Sequence, residues 1–291
     1  MKNVGILLAS YNGEKYIKNQ LDSIIKQKDV KLHIFISDDK STDNTLKIIQ
    51  SYCKQYKNIE CINQDRIGGP GKNFYFLINY INSKNFDYIA LSDQDDIWPE
   101  YRLSRSIDEL QKHDAEGYSS NVIAVDETER FIKIINKSYP QKKYDFFFET
   151  PGPGCSYVLT SNLIDLLQSK LKSNYSFMDF PYHDWLIYAI ARFHGMKWII
   201  DESPNLMYRQ HNNNFIGANY GIVNRLKRIN RILFGTYYSD LNCLHNILIS
   251  DKCLTFSRTW YYIFRFRNTR RNLLHSILMI PFLMILSIQK K

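Results

Sequence analysis

The chain has no C-x-x-C pair, and its five cysteines are an odd number. This usage argues against a disulfide framework and against a cysteine-ligated zinc site, so a reducing cytosol is the expected compartment. No apolar run reaches the roughly 20 residues that a bilayer-spanning helix needs. The apolar stretch Val4–Ala9 is too short for the core of a signal peptide. Repeats and low-complexity segments are also lacking, which leaves a globular chain of one large domain or two smaller ones.

Acidic residues are nearly missing from the C-terminal quarter. The chain has a formal net charge of +9, but residues 225–291 carry 12 Lys or Arg against two Asp, so residues 1–224 are almost neutral. A basic segment binds nucleic acid, anionic lipid or an acidic partner. Here the apolar run Leu273–Ile288 has arginines and aromatic residues before it and two lysines after it. This pattern favours a lipid surface over nucleic acid, with a terminal core helix as the alternative.

Apolar runs alternate with helical patterns through the first hundred residues. Strands are predicted at Val4–Ala9, Leu32–Ser37, Ile59–Asn63 and Phe86–Ser92. Helices are predicted between them, at about residues 14–28, after Ser41-Thr42-Asp43 and at Phe74–Ile81. Strand and helix alternating at this spacing indicate βαβ units. The expected fold is therefore α/β, a Rossmann-like sheet flanked by helices.

Polar residues follow three of these strands. Ser10-Tyr11-Asn12 follows the first, Asp38-Asp39 the second, and Asp93-Gln94-Asp95-Asp96 the fourth. Ligands of open α/β sheets bind outside the carboxyl ends of the strands. The crowded carboxylates repel one another and suit Mg²⁺ or Mn²⁺ held jointly with substrate phosphates, although a solvated turn would also tolerate them. An aromatic ring, carboxylates and a metal site together predict a nucleotide-binding edge.

The motifs that carry these residues resemble those of family 2 glycosyltransferases with the GT-A fold. The matching pieces are S-Y-N-G-E-K-Y-I (10–17), D-D-K-S-T-D-N-T (38–45), S-D-Q-D-D-I-W (92–98), H-D-W-L (183–186) and Y-R-Q-H-N-N-N (208–214). The last piece and G-G-P-G-K-N-F (68–74) are similar to the bacterial rhamnosyltransferase-like branch. The resemblance covers roughly residues 3–217 and implies a GT-A catalytic domain, which we assign to residues 1–224. The change in charge near Asn224 marks the start of a basic, helical, membrane-associating region over residues 225–291.

The resemblance also implies roles for single residues. Donor binding would involve Ser10, Tyr11, Asn12, Asp38, Asp39 and Asp93. Within this set Tyr11 would lie against the nucleobase, Asp39 would accept a hydrogen bond from it, and Asp93 would hold the ribose or share the metal. Asp95 and His211 would be metal ligands, and Asp184 would be the catalytic base. Three positions depart from the family pattern, with Lys40 and Asn212 in place of the usual Gly and His183 in place of the commoner Glu.

The expected activity is an inverting transfer that needs Mg²⁺ or Mn²⁺. The donor would be a nucleotide-sugar, with dTDP-L-rhamnose favoured and a UDP-hexose as the alternative. The acceptor would be a hydroxyl of a saccharide linked to undecaprenyl diphosphate, in the synthesis of O-antigen or capsule. The protein would be cytoplasmic and peripheral on the inner face of the cell membrane.

Two other classes of protein compete with this interpretation. A sugar nucleotidyltransferase normally begins with a G-x-G-T-R-like loop, and Ser10-Tyr11-Asn12-Gly13 is not one. A non-catalytic, membrane-bound binder of nucleotide-sugars would not require Asp95, Asp184 and His211 together.

Overall fold

The computed structural model describes residues 1–173, 177–211, 237–249 and 256–288. The chain divides into two compact units. The first comprises Met1–Ser138 and Pro151–His211, and the second comprises Tyr139–Thr150 and Asn212–Lys291. The expected boundary at residue 224 lies outside the described residues.

The described part of the first unit contains ten strands. They are β1 (Lys2–Ser10), β2 (Val30–Asp38), β3 (Ile59–Asn63), β4 (Tyr88–Ser92), β5 (Gly117–Ser120), β6 (Val122–Val125), β7 (Phe131–Ile135), β8 (Val158–Thr160), β9 (Trp198–Asp201) and β10 (Met207–Arg209). Seven of them form one sheet in the order β3-β2-β1-β4-β8-β5-β9, and a smaller sheet has the order β10-β6-β7. Strand β8 is antiparallel to both of its neighbours, so the main sheet is mixed.

Six described helices accompany these strands. They are α1 (Ile17–Ile25), α2 (Thr45–Gln55), α3 (Pro70–Tyr80), α4 (Arg102–His113), α5 (Ser161–Ser173) and α6 (His183–Phe193). Ile17, Leu21 and Ile24 form the buried face of α1 and share one apolar core with the side chains of β1 and β2. The four predicted strands are confirmed within three residues. Helix α1 is shorter than predicted, and α3 begins at Pro70 because proline suits the first turn of a helix.

Strand register brings the polar strand ends together. Strands β1 and β2 are parallel, and Ser10 pairs with Asp38. Strands β1 and β4 are also parallel, and Leu8 pairs with Ser92. The segments after β1, β2 and β4 therefore emerge at one edge of the sheet, as the sequence predicts.

The second unit is helical in its described part, which includes α7 (Tyr237–Ile249), α8 (Phe256–Phe264) and α9 (Leu273–Ile288). Buried ion pairs connect segment 139–150 of this unit to the start of α9. The Arg271 guanidinium lies 3.8 Å from the Asp145 carboxylate and 3.5 Å from the Glu149 carboxylate. The predicted helix at Leu273–Ile288 is confirmed. Among the described residues, no helix combines the length and the apolar character that a membrane span requires.

Candidate active site

Hydrogen bonds join the segments after β1 and β2. Asp38 is buried, and its side chain accepts hydrogen bonds from Ser10 Oγ at 2.7 Å and from the backbone N–H of Ser41 at 2.7 Å. Asn12 lies in the left-handed region and accepts a hydrogen bond from the backbone N–H of Thr42 at 2.8 Å. Ser10, Asn12 and Asp38 are thus engaged in shaping the loops of the site.

Gln94 holds Tyr11, a role that the sequence did not reveal. Its side-chain amide accepts a hydrogen bond from the Tyr11 N–H and donates one to the Tyr11 carbonyl, both at 2.9 Å. A Cβ on Gly13 would overlap the amide group of Gln94, so glycine at this position leaves room for the two hydrogen bonds with Tyr11. The Tyr11 side chain is 46% exposed, which leaves its ring open to a ligand.

Asp39 is covered by the glycine-rich loop that precedes α3. One of its carboxylate oxygens accepts hydrogen bonds from the N–H groups of Ile67 and Gly68, and the other accepts one from Gly69. Gly68 and Gly69 have φ angles of 101° and 107°, a backbone conformation that glycine adopts readily. Lys40 has a φ of 64°, a backbone conformation that glycine adopts more readily, which agrees with the glycine that the family resemblance predicts at this position.

Asp95 and His211 are 116 residues apart in sequence and adjacent in space. His211 Nε2 lies 2.8 Å from Asp95 Oδ2, and both side chains are about nine-tenths buried. Two neighbouring ligands of an octahedral ion, each about 2.1 Å from it, lie about 3 Å apart. The separation of 2.8 Å is also that of a hydrogen bond between the imidazole and the carboxylate, and the same two atoms would be close enough to bind one divalent cation if Nε2 carried no proton.

Asp93 and Asp96 form a second cluster with Cys155, in which the potential ligand atoms lie within 4.8 Å of one another. Burial, followed by the negative charge of Asp95, raises the pKa of both carboxyl groups, and the charge of Asp93 adds to the raised pKa of Asp96. Burial also raises the pKa of the Cys155 thiol, so it remains protonated at neutral pH. A soft sulfur ligand does not suit Mg²⁺ or Mn²⁺, whereas the Asp95 carboxylate offers the hard oxygen ligand that these ions prefer. No pattern in the sequence singles out Cys155.

Asp184 lies in the first turn of α6 and is partly buried. Its Oδ1 accepts the backbone N–H of Trp185 at 2.8 Å. The segment around Gly154 packs directly on this turn, since a Cβ on that residue would lie 3.2 Å from Asp184 Cβ. Burial raises the Asp184 pKa to about 6, and its charge contributes to the raised pKa of Asp93. The carboxylate is therefore mostly ionised at pH 7 and ready to accept a proton.

His183 has a different environment from its neighbour. Its ring stacks on Phe74, with 4.1 Å between the ring centroids. Burial lowers its pKa to about 3, so the imidazole stays neutral at physiological pH. These contacts support a role in packing α6 against α3.

An α/β fold that gathers polar and carboxylate side chains outside the carboxyl ends of its strands is typical of enzymes that bind nucleotides. The family model for glycosyl transferase family 2 matches residues 6–167, and the chain belongs to this family. It is 42% identical to the dTDP-rhamnosyl transferase RfbG of Shigella flexneri, over 84% of this chain and 85% of that protein. The protein is therefore a glycosyltransferase of the GT-A fold.

The fold is shared with several solved structures. A TarS fragment of S. aureus in complex with UDP-GlcNAc matches 91% of this chain and 76% of its own, with a TM-score of 0.56 and 18% identity. The mannosyltransferase PcManGT of Pyrobaculum calidifontis, in complex with GDP-Man and Mn²⁺, matches 98% of this chain and 86% of its own. Its TM-score is 0.54 and its identity 12%.

Proposed function

We propose that this glycosyltransferase is a metal-dependent, inverting rhamnosyltransferase. It transfers rhamnose from dTDP-L-rhamnose to a hydroxyl of a lipid-linked saccharide, for O-antigen or capsule. The observation that supports this reaction type is that Asp95 and His211 are adjacent at the edge of the sheet that also bears Asp93. The charge of Asp184 contributes to the raised pKa of Asp93. The choice of donor rests on the relative named a dTDP-rhamnosyl transferase.

The catalytic step follows from the placement of two groups. Asp184 accepts the proton of the acceptor hydroxyl as that oxygen attacks the anomeric carbon, a contribution typically of about 10²–10⁴-fold. Asp95 and His211 would hold the divalent cation, which when bound neutralises the negative charge of the departing diphosphate. A single displacement inverts the anomeric carbon and requires no covalent intermediate on the protein.

The nucleobase would lie between the segments after β1 and β2. The exposed ring of Tyr11 offers a stacking face for the base. Asp39 Oδ2 accepts one hydrogen bond from Gly69, and a carboxylate oxygen has two lone-pair sites. Asp39 thus retains an acceptor for an N–H of thymine or uracil, and both bases present one.

A donor comparison tests this function. Purified protein with Mn²⁺ and a saccharide acceptor receives dTDP-L-rhamnose, UDP-glucose or UDP-galactose, and the released nucleoside diphosphate is measured. We expect the nucleoside diphosphate to be released fastest from dTDP-L-rhamnose. Faster release from a UDP-hexose would contradict the proposed donor. Pyrophosphate release from dTTP and a sugar phosphate would indicate a nucleotidyltransferase. Donor binding without turnover would indicate a binder.

We further propose that the protein attaches to the anionic inner face of the cell membrane through α9. Leu273, Leu274, Ile277 and Leu278 are between 46% and 63% exposed and lie on one face of this helix. The opposite face is buried at Ser276, Met279 and Leu283. Exposed Arg265 and Arg267 precede the helix and supply positive charge for anionic headgroups. A helix of this kind lies in the membrane interface rather than across the bilayer.

Replacing Leu274 and Leu278 together with Glu is expected to abolish this attachment, because it places two carboxylates on the lipid-facing side. Flotation with phosphatidylglycerol vesicles measures binding, and phosphatidylcholine vesicles measure its dependence on charge. The matched control is Phe131→Glu with Ile134→Glu, which alters two exposed apolar residues of β7. Flotation of the α9 variant at the level of the wild-type protein would contradict the proposal.

A further inference from the structure

The two proposed cation ligands are surrounded by side chains to which the sequence assigned no function. His211 Nε2 contacts the Asp95 carboxylate, but an imidazole must also be held in orientation if it is to act as a ligand. Tyr16, which precedes α1, stacks on the His211 ring with 5.0 Å between the centroids and an interplanar angle of 26°. The ring of Tyr16 therefore restricts the plane of the His211 imidazole.

Arg209, two residues before His211, holds the other ligand. Its side chain is buried, and its Nε donates a hydrogen bond to the Asp95 carbonyl at 3.0 Å. One terminal nitrogen donates to the Glu127 carbonyl and the other to the Glu129 carboxylate, both at 3.1 Å. The guanidinium thus joins the Asp95 peptide to the turn between β6 and β7.

Tyr16 also connects the two ligands. The Arg209 guanidinium carbon lies 5.0 Å from the centroid of the Tyr16 ring, a cation–π distance. The backbone N–H of Arg209 donates to Asp96 Oδ1 at 3.3 Å, which anchors β10 beside the acidic segment. Asp95, Arg209, Tyr16 and His211 therefore form a closed set of contacts drawn from three separate parts of the sequence.

We propose that Tyr16 and Arg209 are positioning residues for the divalent cation. Tyr16 orients the His211 imidazole, and Arg209 fixes the backbone that presents Asp95. This inference rests on the proposed metal dependence of the transferase. Outer partners of metal ligands typically contribute 10–100-fold to metal affinity. Lysine cannot replace Arg209, because one ammonium does not reach three acceptors in the fixed directions of a guanidinium.

The test is direct Mn²⁺ binding, measured from the electron paramagnetic resonance signal of free Mn²⁺ in the presence of dTDP. We expect Tyr16→Leu and Arg209→Lys to weaken Mn²⁺ affinity about 10-fold or more, while Tyr16→Phe keeps the ring and the affinity of the wild-type protein. Two control variants are Tyr80→Leu, at an exposed tyrosine, and Arg105→Lys, whose guanidinium pairs with Asp201 at 3.0 Å. Both controls should bind Mn²⁺ as the wild-type protein does.

A purely structural role would give a different result. In that case Tyr16→Leu and Arg209→Lys would lower the melting temperature but bind Mn²⁺ with unchanged affinity, which overturns the inference. If Arg209→Lys gives no folded protein, the Tyr16→Leu and Tyr16→Phe pair decides, because Tyr16 is only partly buried. Failure of the wild-type protein to bind Mn²⁺ would instead refute the proposed metal dependence itself.

Discussion

Asp184→Asn is expected to lower turnover at least about 10²-fold while leaving the affinity for donor and Mn²⁺ close to that of the wild-type protein. Asparagine preserves the shape of the side chain and can still accept the Trp185 N–H, but it cannot take a proton from the acceptor. A product assay gives the turnover, and calorimetric titration of the donor on the same preparation gives its affinity.

The pH dependence of turnover in the wild-type enzyme is an independent test of the role of Asp184. Burial raises the Asp184 pKa to about 6, so the carboxylate becomes protonated and unable to act as a base as the pH falls below that value. Turnover should decline through pH 6 in the wild-type protein. The small residual turnover of Asp184→Asn should lack this inflection.

Thermal unfolding separates a catalytic loss from a structural one. A carboxyl group whose pKa is higher in the folded protein than in the unfolded protein destabilises the folded state once the pH exceeds the pKa of the unfolded protein. The penalty is fully present above pH 6 and disappears in acid. At pH 7.5 Asp184→Asn should therefore melt no lower than the wild-type protein, and the difference should narrow as the pH approaches 4. A lower melting temperature together with lost donor binding would assign Asp184 to the fold, with Asp179 or Asp201 as the next candidates for the base.

The features that the sequence predicted well are those that repeat locally. Alternating strands and helices have clear periodicities, and the polar residues that follow parallel strands must share one edge of the sheet. The helix at Leu273–Ile288 is apolar almost throughout and has the predicted bounds. The pairing of Asp95 with His211 was implied only by the family resemblance, since no local pattern links residues this far apart.

The features that the sequence did not reveal depend on contacts between distant segments. Cys155 reaches Asp93 and Asp96 because β8 runs antiparallel beside β4, and a lone cysteine gives no signal of this. The two hydrogen bonds between the Gln94 side chain and the Tyr11 backbone likewise follow from the alignment of β1 with β4. Segment 139–150 belongs with the second unit through the buried charge of Arg271. Composition alone marks only residues 225–291 as distinct.

The largest effect is expected from Asp95→Ala. Asp95 is buried beside His211, and its carbonyl is held by Arg209, so its carboxylate is the least replaceable ligand of the proposed cation site. Without it the charge on the departing diphosphate is poorly neutralised, a contribution of several kcal/mol. We expect turnover to fall at least about 10³-fold.

Nucleotide binding shows whether the cation is the cause of this loss. In the wild-type protein Mn²⁺ should strengthen dTDP binding, and EDTA should remove both this gain and the turnover. In Asp95→Ala the affinity for dTDP should be the same with Mn²⁺ as with EDTA, because His211 alone is a poor site for a hard cation. Asp108→Ala removes an exposed carboxylate on α4 and serves as the matched control, with wild-type behaviour expected in both assays. Full turnover of the wild-type enzyme in EDTA, or of Asp95→Ala with Mn²⁺, would show that this edge of the sheet works without a metal ion.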